Sequence, residues 1–170
     1  MPNMKNIINQ HNSNLLKSTN NNTNTNQQQC NCRNKENCPL DNECLKECIV
    51  YQLQATVTTD NEEKIYIGQT EKDFKTRFRN HKKSFTNPRY QKETTLSNYI
   101  WQLNDNNKIY NIKWKILTQT EPYKSGTRKC NLCLSEKYQI ITNKHPGLLN
   151  QRSEIISTCR HRRKFSLAVQ

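Results

Sequence analysis

The sequence predicts an α+β fold, a small three-stranded antiparallel sheet flanked by helices, with a Cys-rich appendage ahead of it. Three observations carry that reading. Two β-branched and aromatic runs, residues 49–58 (IVYQLQATVT) and 64–68 (KIYIG), are separated only by a polar stretch suited to a hairpin. Beyond them apolar residues recur mostly at helical spacing, and five cysteines crowd residues 30–48. The order is strand, strand, helix, helix, strand, helix, helix, with no internal repeat.

Taken along the chain, residues 1–29 hold a short amphipathic helix (Met4, Ile7, Ile8, Leu15, Leu16) and then an Asn, Thr and Gln tract without an apolar residue, a linker by composition. Residues 30–48 show no periodicity, and Pro39 with Asp41-Asn42 signals turns. Residues 49–164 form the main domain, opened by the two strands. A helix over 73–85 sets Phe74, Phe78 and Phe85 on one side, capped near Thr70 or Asp73. A second, over 94–103, is capped by Thr94 or Thr95 and turns Leu96, Tyr99, Ile100 and Leu103 inward. Residues 112–118 (IKWKILT) alternate as a half-buried strand does. Residues 132–141 return to helical spacing through Leu134, Tyr138 and Ile141, and a last short helix follows over 153–158.

Lys plus Arg number 27 against 14 Asp plus Glu, a net charge of +13 that favours an anionic partner. Hydrophobic residues are 32% of the chain, so part of its length does not enter a core. No apolar run is long enough to span a bilayer and the opening lacks a secretory core, which predicts an intracellular protein with no membrane partner. There the eight cysteines are reduced, and their clustering points to metal ligation by thiolates.

Two tyrosines on paired strands can present their hydroxyls on one face, and Arg77 and His81, four apart on a helix, share another. Phosphodiester cleavage needs an activated water, a cation facing the phosphate and help for the leaving oxygen, and these residue types supply each. The run Tyr66-Ile67-Gly68-Gln69-Thr70, then Arg77 and His81, resembles the second half of the GIY-YIG endonuclease signature. Ile49-Val50-Tyr51 is similar to its first half, with Ile49 where the family has glycine and Val50 where it has isoleucine, and the tyrosine kept. Glu136 and Asn150 match the family's metal-binding glutamate and structural asparagine in order and approximate spacing.

The resemblance implies a metal-dependent DNA endonuclease that nicks a phosphodiester bond, with Tyr51, Tyr66, Arg77, His81, Glu136 and Asn150 as its site. In it Tyr51 is the general base or its relay, and Tyr66 and His81 hydrogen-bond the attacking water or the scissile phosphate. Arg77 grips that phosphate, and Glu136 binds one Mg²⁺ or Mn²⁺. No small-molecule substrate is implied.

The cysteines suggest one or two structural Zn²⁺ ions. Cys130 and Cys133 have a knuckle's bite and, with Cys159 and His161, make a Cys₃His set, for which His145 is an alternate ligand. Cys30, Cys32, Cys38 and Cys44 make a Cys₄ set, with Cys48 a fifth candidate or a small core residue. This arrangement, with the opening MKNIINQHN, resembles the endonuclease domain of Penelope-like retroelements. That implies a nuclear protein working beside a reverse transcriptase region of the same polyprotein and its RNA, nicking target DNA to prime reverse transcription. Lys75, Arg79, Lys82, Lys83, Arg89, Lys113, Lys115, Arg162 and Arg163, with Lys72, Arg160 and Lys164, are the expected contacts to DNA phosphates. Two other readings remain: a cellular structure-specific repair nuclease, and a catalytically silent zinc-stabilised DNA-binding module.

Overall fold

A computed structural model describes residues 29–123 and 130–150. The helices expected over 4–17 and 153–158 lie outside the described residues, as do Cys159, His161, Arg162 and Arg163. Strand β1 (Ile49–Val57) is central in a three-stranded sheet, with β2 (Glu63–Thr70) on one side and β3 (Tyr110–Gln119) on the other, both antiparallel to it. Helices α1 (Phe74–Thr86), α2 (Thr95–Asp105) and α3 (Asn131–Thr142) complete the fold, with a single 3₁₀ turn (Pro88–Tyr90) between the first two.

Both faces of the sheet are covered, because both carry apolar side chains. On one, Tyr51, Leu53, Ala55 and Val57 of β1 pack with Tyr66, Phe74 of α1 and Leu96, Ile100 and Leu103 of α2. On the other, Val50, Ile65 and Ile67 meet Cys130, Leu132, Cys133 and Ile140 at α3. Full burial of a side chain such as Phe74 contributes about 1.5–3 kcal/mol. Double coverage explains why β1 begins as an unbroken apolar run instead of a strict alternation. Opposite β3 the ladder slips between Val50 and Tyr51, a bulge that pairs Val50 with Thr118 and Tyr51 with Ile116.

Local chemistry fixes the helix starts. Asp73, not Thr70, caps α1 through its Oδ1, which accepts from the Thr76 amide at 2.8 Å. Thr94, not Thr95, caps α2, exchanging bonds with Ser97 in a capping box. The Trp101 indole donates to the Ser84 carbonyl at 2.9 Å and ties α2 to α1.

On α3 the stripe that carries the helical spacing is not the one that packs. Leu134, Tyr138 and Ile141 are exposed, whereas Leu132, Cys133, Lys137 and Ile140 are buried. Apolar residues occupy two stripes of this helix, and the stripe holding both cysteines and the bulk of Leu132 is the one that meets β2.

The outer edge of β2 is closed by residues 147–150. Ile65 donates to the Gly147 carbonyl at 2.9 Å, Leu149 donates to the Ile65 carbonyl at 2.8 Å, and Leu148 bridges Ile65 in parallel. Only glycine fits at 147, since a Cβ there would run into the Glu63 carbonyl oxygen. A covered edge offers no unpaired ladder to another chain.

Candidate functional site

Tyr51 lies at the centre of one face of the sheet and is 0% exposed. Its partner across the hairpin is Gly68, where a Cβ would come within 2.6 Å of the Tyr51 hydroxyl oxygen. Glycine at 68 therefore makes the slot in which the phenol lies. Tyr66, two residues earlier on β2, points to the same face.

From α1, one turn apart, Arg77 and His81 both reach the Tyr51 hydroxyl. Arg77 Nε donates to it at 2.9 Å, and His81 Nε2 lies 2.7 Å from it. A guanidinium nitrogen can only donate, so the phenol oxygen accepts from Arg77; with the neutral imidazole assigned its proton on Nδ1, the phenol donates its own proton to Nε2. The electrostatics agree with that assignment. Burial, with the Arg77 charge adding to it, pushes His81 down to about 3, and burial raises Tyr51 despite Arg77 beside it. Burial works against the charge on Arg77, but the tyrosine oxygens around it more than offset this and hold the guanidinium charged.

An aromatic box surrounds this triad. The Tyr51 ring meets Phe74 edge-on at 5.1 Å between centroids and Trp114 at 5.9 Å, and His81 lies 5.4 Å from Trp114 and 6.1 Å from Tyr66. The sequence marks Trp114 only as one apolar position of β3. It is a wall of the site, and the signal that could have found it is its place on the strand face that Tyr51 and Leu53 also present. His81, which looks from sequence like part of a basic helix face, is 2% exposed.

Glu136 is half-buried on α3, and its charge acts on Tyr51 in the sense that raises the phenol. Asn150 holds β2 from outside, since its side-chain nitrogen donates to the Ile67 carbonyl and its oxygen accepts from the Ile67 amide, both at 2.8 Å. It is a clamp on the strand that carries Tyr66 and Gly68. Asn150→Leu loses both bonds and leaves a strand-edge amide and carbonyl unmatched. It is expected to cost roughly 1–3 kcal/mol in urea unfolding, with selective loss of exchange protection at the Ile67 amide.

No protein-family model, curated protein or solved structure matches the chain.

The Cys-rich segment forms a second constellation. The sulfurs of Cys30, Cys32, Cys38 and Cys44 all lie within 4.8 Å of one another, and this Cys₄ cluster could hold a metal ion such as zinc. Three of its S–S separations are 3.6–3.7 Å. Tetrahedral ligation at a Zn–S distance of about 2.3 Å requires about 3.8 Å between sulfurs, so little rearrangement is needed. Asp41 and Asn42 both adopt left-handed backbone conformations, φ 43° and 75°, which turn the chain back between Cys38 and Cys44. Burial opposes a charge on Cys38, but the amides of Leu40 and Asn42 and the thiols of Cys30 and Cys44 bring it down to about 7, a sulfur prepared to ligate as thiolate.

Cys48 stands apart from this set, buried with its sulfur 3.5 Å from the Glu71 carbonyl. Cys130 and Cys133 are buried against β2, with Gln69 donating to the Cys133 sulfur at 3.5 Å. Among the described residues they join no cluster of three ligands, and the two partners expected for them lie outside. His145 is half-buried in the turn before Gly147, whose amide donates to its Nδ1 at 3.0 Å.

Arg79, Lys82, Lys83 and Arg89 are exposed on and after α1, and among the described residues none pairs with a carboxylate. Lys82 lies over the Phe78 ring and Lys83 over Tyr90. Lys113 and Lys115 pair with Gln54 and Gln52, so they leave the sheet on the face opposite Trp114. Lys75 is engaged within the fold, its Nζ 2.6 Å from Asn31 Oδ1. No helix of the described residues is long and apolar enough to cross a membrane.

Proposed function

We propose that this chain is a metal-dependent DNA endonuclease of GIY-YIG type, and that its scissile phosphate is received by the Arg77 guanidinium, with Tyr51 and His81 buried behind it. The observation that carries the reading is the single hydroxyl of Tyr51, held between an obligate donor at 2.9 Å and a neutral imidazole at 2.7 Å. A half-buried arginine, a buried imidazole and a buried phenol converging on one oxygen cost free energy to assemble, and a purely structural core has no need of them.

Tyr51 serves as a relay in this mechanism rather than as a standing phenolate, because burial keeps its proton on at neutral pH. His81 is the acceptor, taking the phenol proton as Tyr51 receives one from the attacking water. In the DNA-free protein its basicity is low, through burial and the Arg77 charge. A phosphodiester engaging the Arg77 guanidinium offsets the smaller of these two causes and so raises the basicity of His81 with substrate in place, while burial continues to oppose it. Among the described residues Nε makes Arg77's hydrogen bond, to Tyr51, and the Nη groups are left for the phosphate. Glu136 would hold one Mg²⁺ or Mn²⁺, a hard ion that takes carboxylate and phosphate oxygens and supplies Lewis-acid assistance to the phosphate. The exposed basic residues around α1, and the net charge of +13, suit a polyanionic substrate. Within a retroelement protein of the Penelope-like kind, such a nick in nuclear DNA would supply the primer end for reverse transcription.

Nicking of supercoiled plasmid with Mg²⁺ tests the reading. Arg77→Ala and Glu136→Ala are each expected to slow the native rate by at least roughly 10²-fold while the circular dichroism spectrum is kept. If the native chain is folded and no divalent metal elicits a nick, the function is something else. A preference for flaps or branches over plain duplex would shift the reading toward a cellular repair nuclease.

A further inference from the structure

The first turn of α1, which leads into Arg77 and His81, is held by the segment that carries the Cys₄ cluster. A helix begins with four backbone amides that lack partners within it. In α1 the Phe74 amide donates to the Lys46 carbonyl at 3.1 Å and the Lys75 amide to the Cys44 carbonyl at 2.8 Å. Asp73 satisfies the Thr76 and Arg77 amides, through Oδ1 at 2.8 Å and its carbonyl at 3.4 Å. Half of the helix start is thus terminated by residues 44 and 46, and one of these is itself a candidate ligand. The Lys75 ammonium adds bonds to Asn31 Oδ1 and to the Asn31 carbonyl, between Cys30 and Cys32. The segment has little apolar surface of its own to hold it in this position. Of its residues up to 46, only Cys38, Leu40 and Cys44 are buried, and among these Leu40 alone joins the main core.

We propose that one Zn²⁺ bound by Cys30, Cys32, Cys38 and Cys44 acts as a clamp on α1, so that occupancy of this ion sets the alignment of Arg77 and His81 on Tyr51. The inference rests on the nuclease reading for its catalytic consequence, and on backbone hydrogen bonds alone for its structural one. With the ion bound, the loop from Cys30 to Cys44 is closed on itself and its carbonyls are fixed at the helix start. Without it, four thiols held by weak S–H contacts leave those carbonyls free to move, and the helix start frays from Phe74 toward Arg77. A shift of about 1 Å in a positioning group is enough to cost roughly 10²-fold in rate.

The experiment uses the full chain, loaded with Zn²⁺ and then stripped by an organomercurial with a chelator, the mercurial being displaced afterwards by excess dithiothreitol so that all thiols are free again. Three readouts are followed: amide hydrogen exchange, the single-turnover nicking rate with saturating Mg²⁺, and the dissociation constant for a plain duplex. Removal is expected to abolish protection at Phe74 and Lys75 while Ile67 and the β1 amides keep theirs. The nicking rate falls roughly 10- to 100-fold, duplex affinity stays within about threefold, and added Zn²⁺ restores the rate. Cys48→Ser serves as the control thiol outside the cluster and leaves all three readouts responsive to the metal. Cys38→Ser, which keeps three ligands and leaves Cys130 and Cys133 untouched, should behave as a partly stripped protein, losing protection at the same two amides and part of the nicking rate, which assigns the loss to this cluster.

Unchanged exchange at Phe74 and Lys75 on metal removal overturns the clamp, and so does loss of protection throughout the sheet, since that marks the ion as a general support of the fold. Loss of duplex affinity at an unchanged rate also overturns it, by making the segment a DNA contact. If the zinc-loaded chain nicks nothing, the nuclease reading fails, and the exchange pattern alone still decides the clamp.

Discussion

Tyr51→Phe, which removes one oxygen, is expected to lower the nicking rate by roughly 10²- to 10⁴-fold while the protein stays folded, the range that a positioned proton-transfer group contributes. The ring itself is kept, with its edge contact to Phe74 and its packing on Trp114, so no cavity opens. What is lost is the one acceptor for Arg77 Nε and the one proton aimed at His81 Nε2. Leaving these groups unmatched in a buried site costs about 1–3 kcal/mol, visible as a lower urea midpoint. Rate and stability therefore fall by amounts that can be separated. Duplex affinity should hardly move, because a residue with no exposed surface makes no ground-state contact with DNA. Plasmid nicking under single-turnover conditions, with binding measured in parallel, checks this. A variant that cuts at the native rate would leave Tyr51 as a core aromatic whose hydroxyl merely satisfies its neighbours, and would move the candidate base to another group.

Much of this site was legible in the sequence because strands and helices convert spacing into faces. Tyr51 and Tyr66 fall on one face through the period of two, and Arg77 and His81 meet through the period of 3.6. Spacing does not rank two apolar stripes on one helix, so it leaves the inward face of α3 open. Leu134, Tyr138 and Ile141 follow the helical repeat as well as Leu132, Cys133 and Ile140 do, and the choice is made by the surface of β2. Nor does spacing report depth: His81 lies in a run rich in lysine and arginine, and the rings of Tyr51, Tyr66, Phe85 and Trp114 packed beside it take it out of water. The Cys₄ set was read from composition and compartment. Its docking on the start of α1 rests on backbone carbonyls, which no side-chain pattern encodes.

The depth of His81 has a second consequence, in the dependence of stability on pH. Its pKa lies near 3 in the folded protein and at 6.5 in the unfolded chain. Below 6.5 the unfolded chain takes up a proton that the folded protein refuses, so the unfolded state gains and stability falls as the pH drops from 6.5 toward 3. At pH 5, about 1.5 units below the unfolded value, the loss from this one group is already ~2 kcal/mol, against a total stability of about 5–15 kcal/mol for an ordinary domain. The groups around the imidazole oppose its charge or leave it unchanged: the Arg77 guanidinium, the Tyr51 phenol, and the rings of Tyr66, Phe85 and Trp114. In His81→Gln the site no longer titrates while an amide oxygen can still accept from Tyr51. The variant is less stable than the native chain at pH 7, and that deficit is expected to shrink by ~2 kcal/mol at pH 5, where the native chain bears the penalty and the variant does not. Every other histidine and carboxylate is common to the two chains and cancels in the difference, so urea unfolding of both at the two pH values isolates the group. Parallel curves would mean that His81 accepts a proton in the folded protein beside Arg77. That outcome would give Nε2 a hydrogen of its own, reverse its bond to Tyr51, and leave the relay without a proton acceptor.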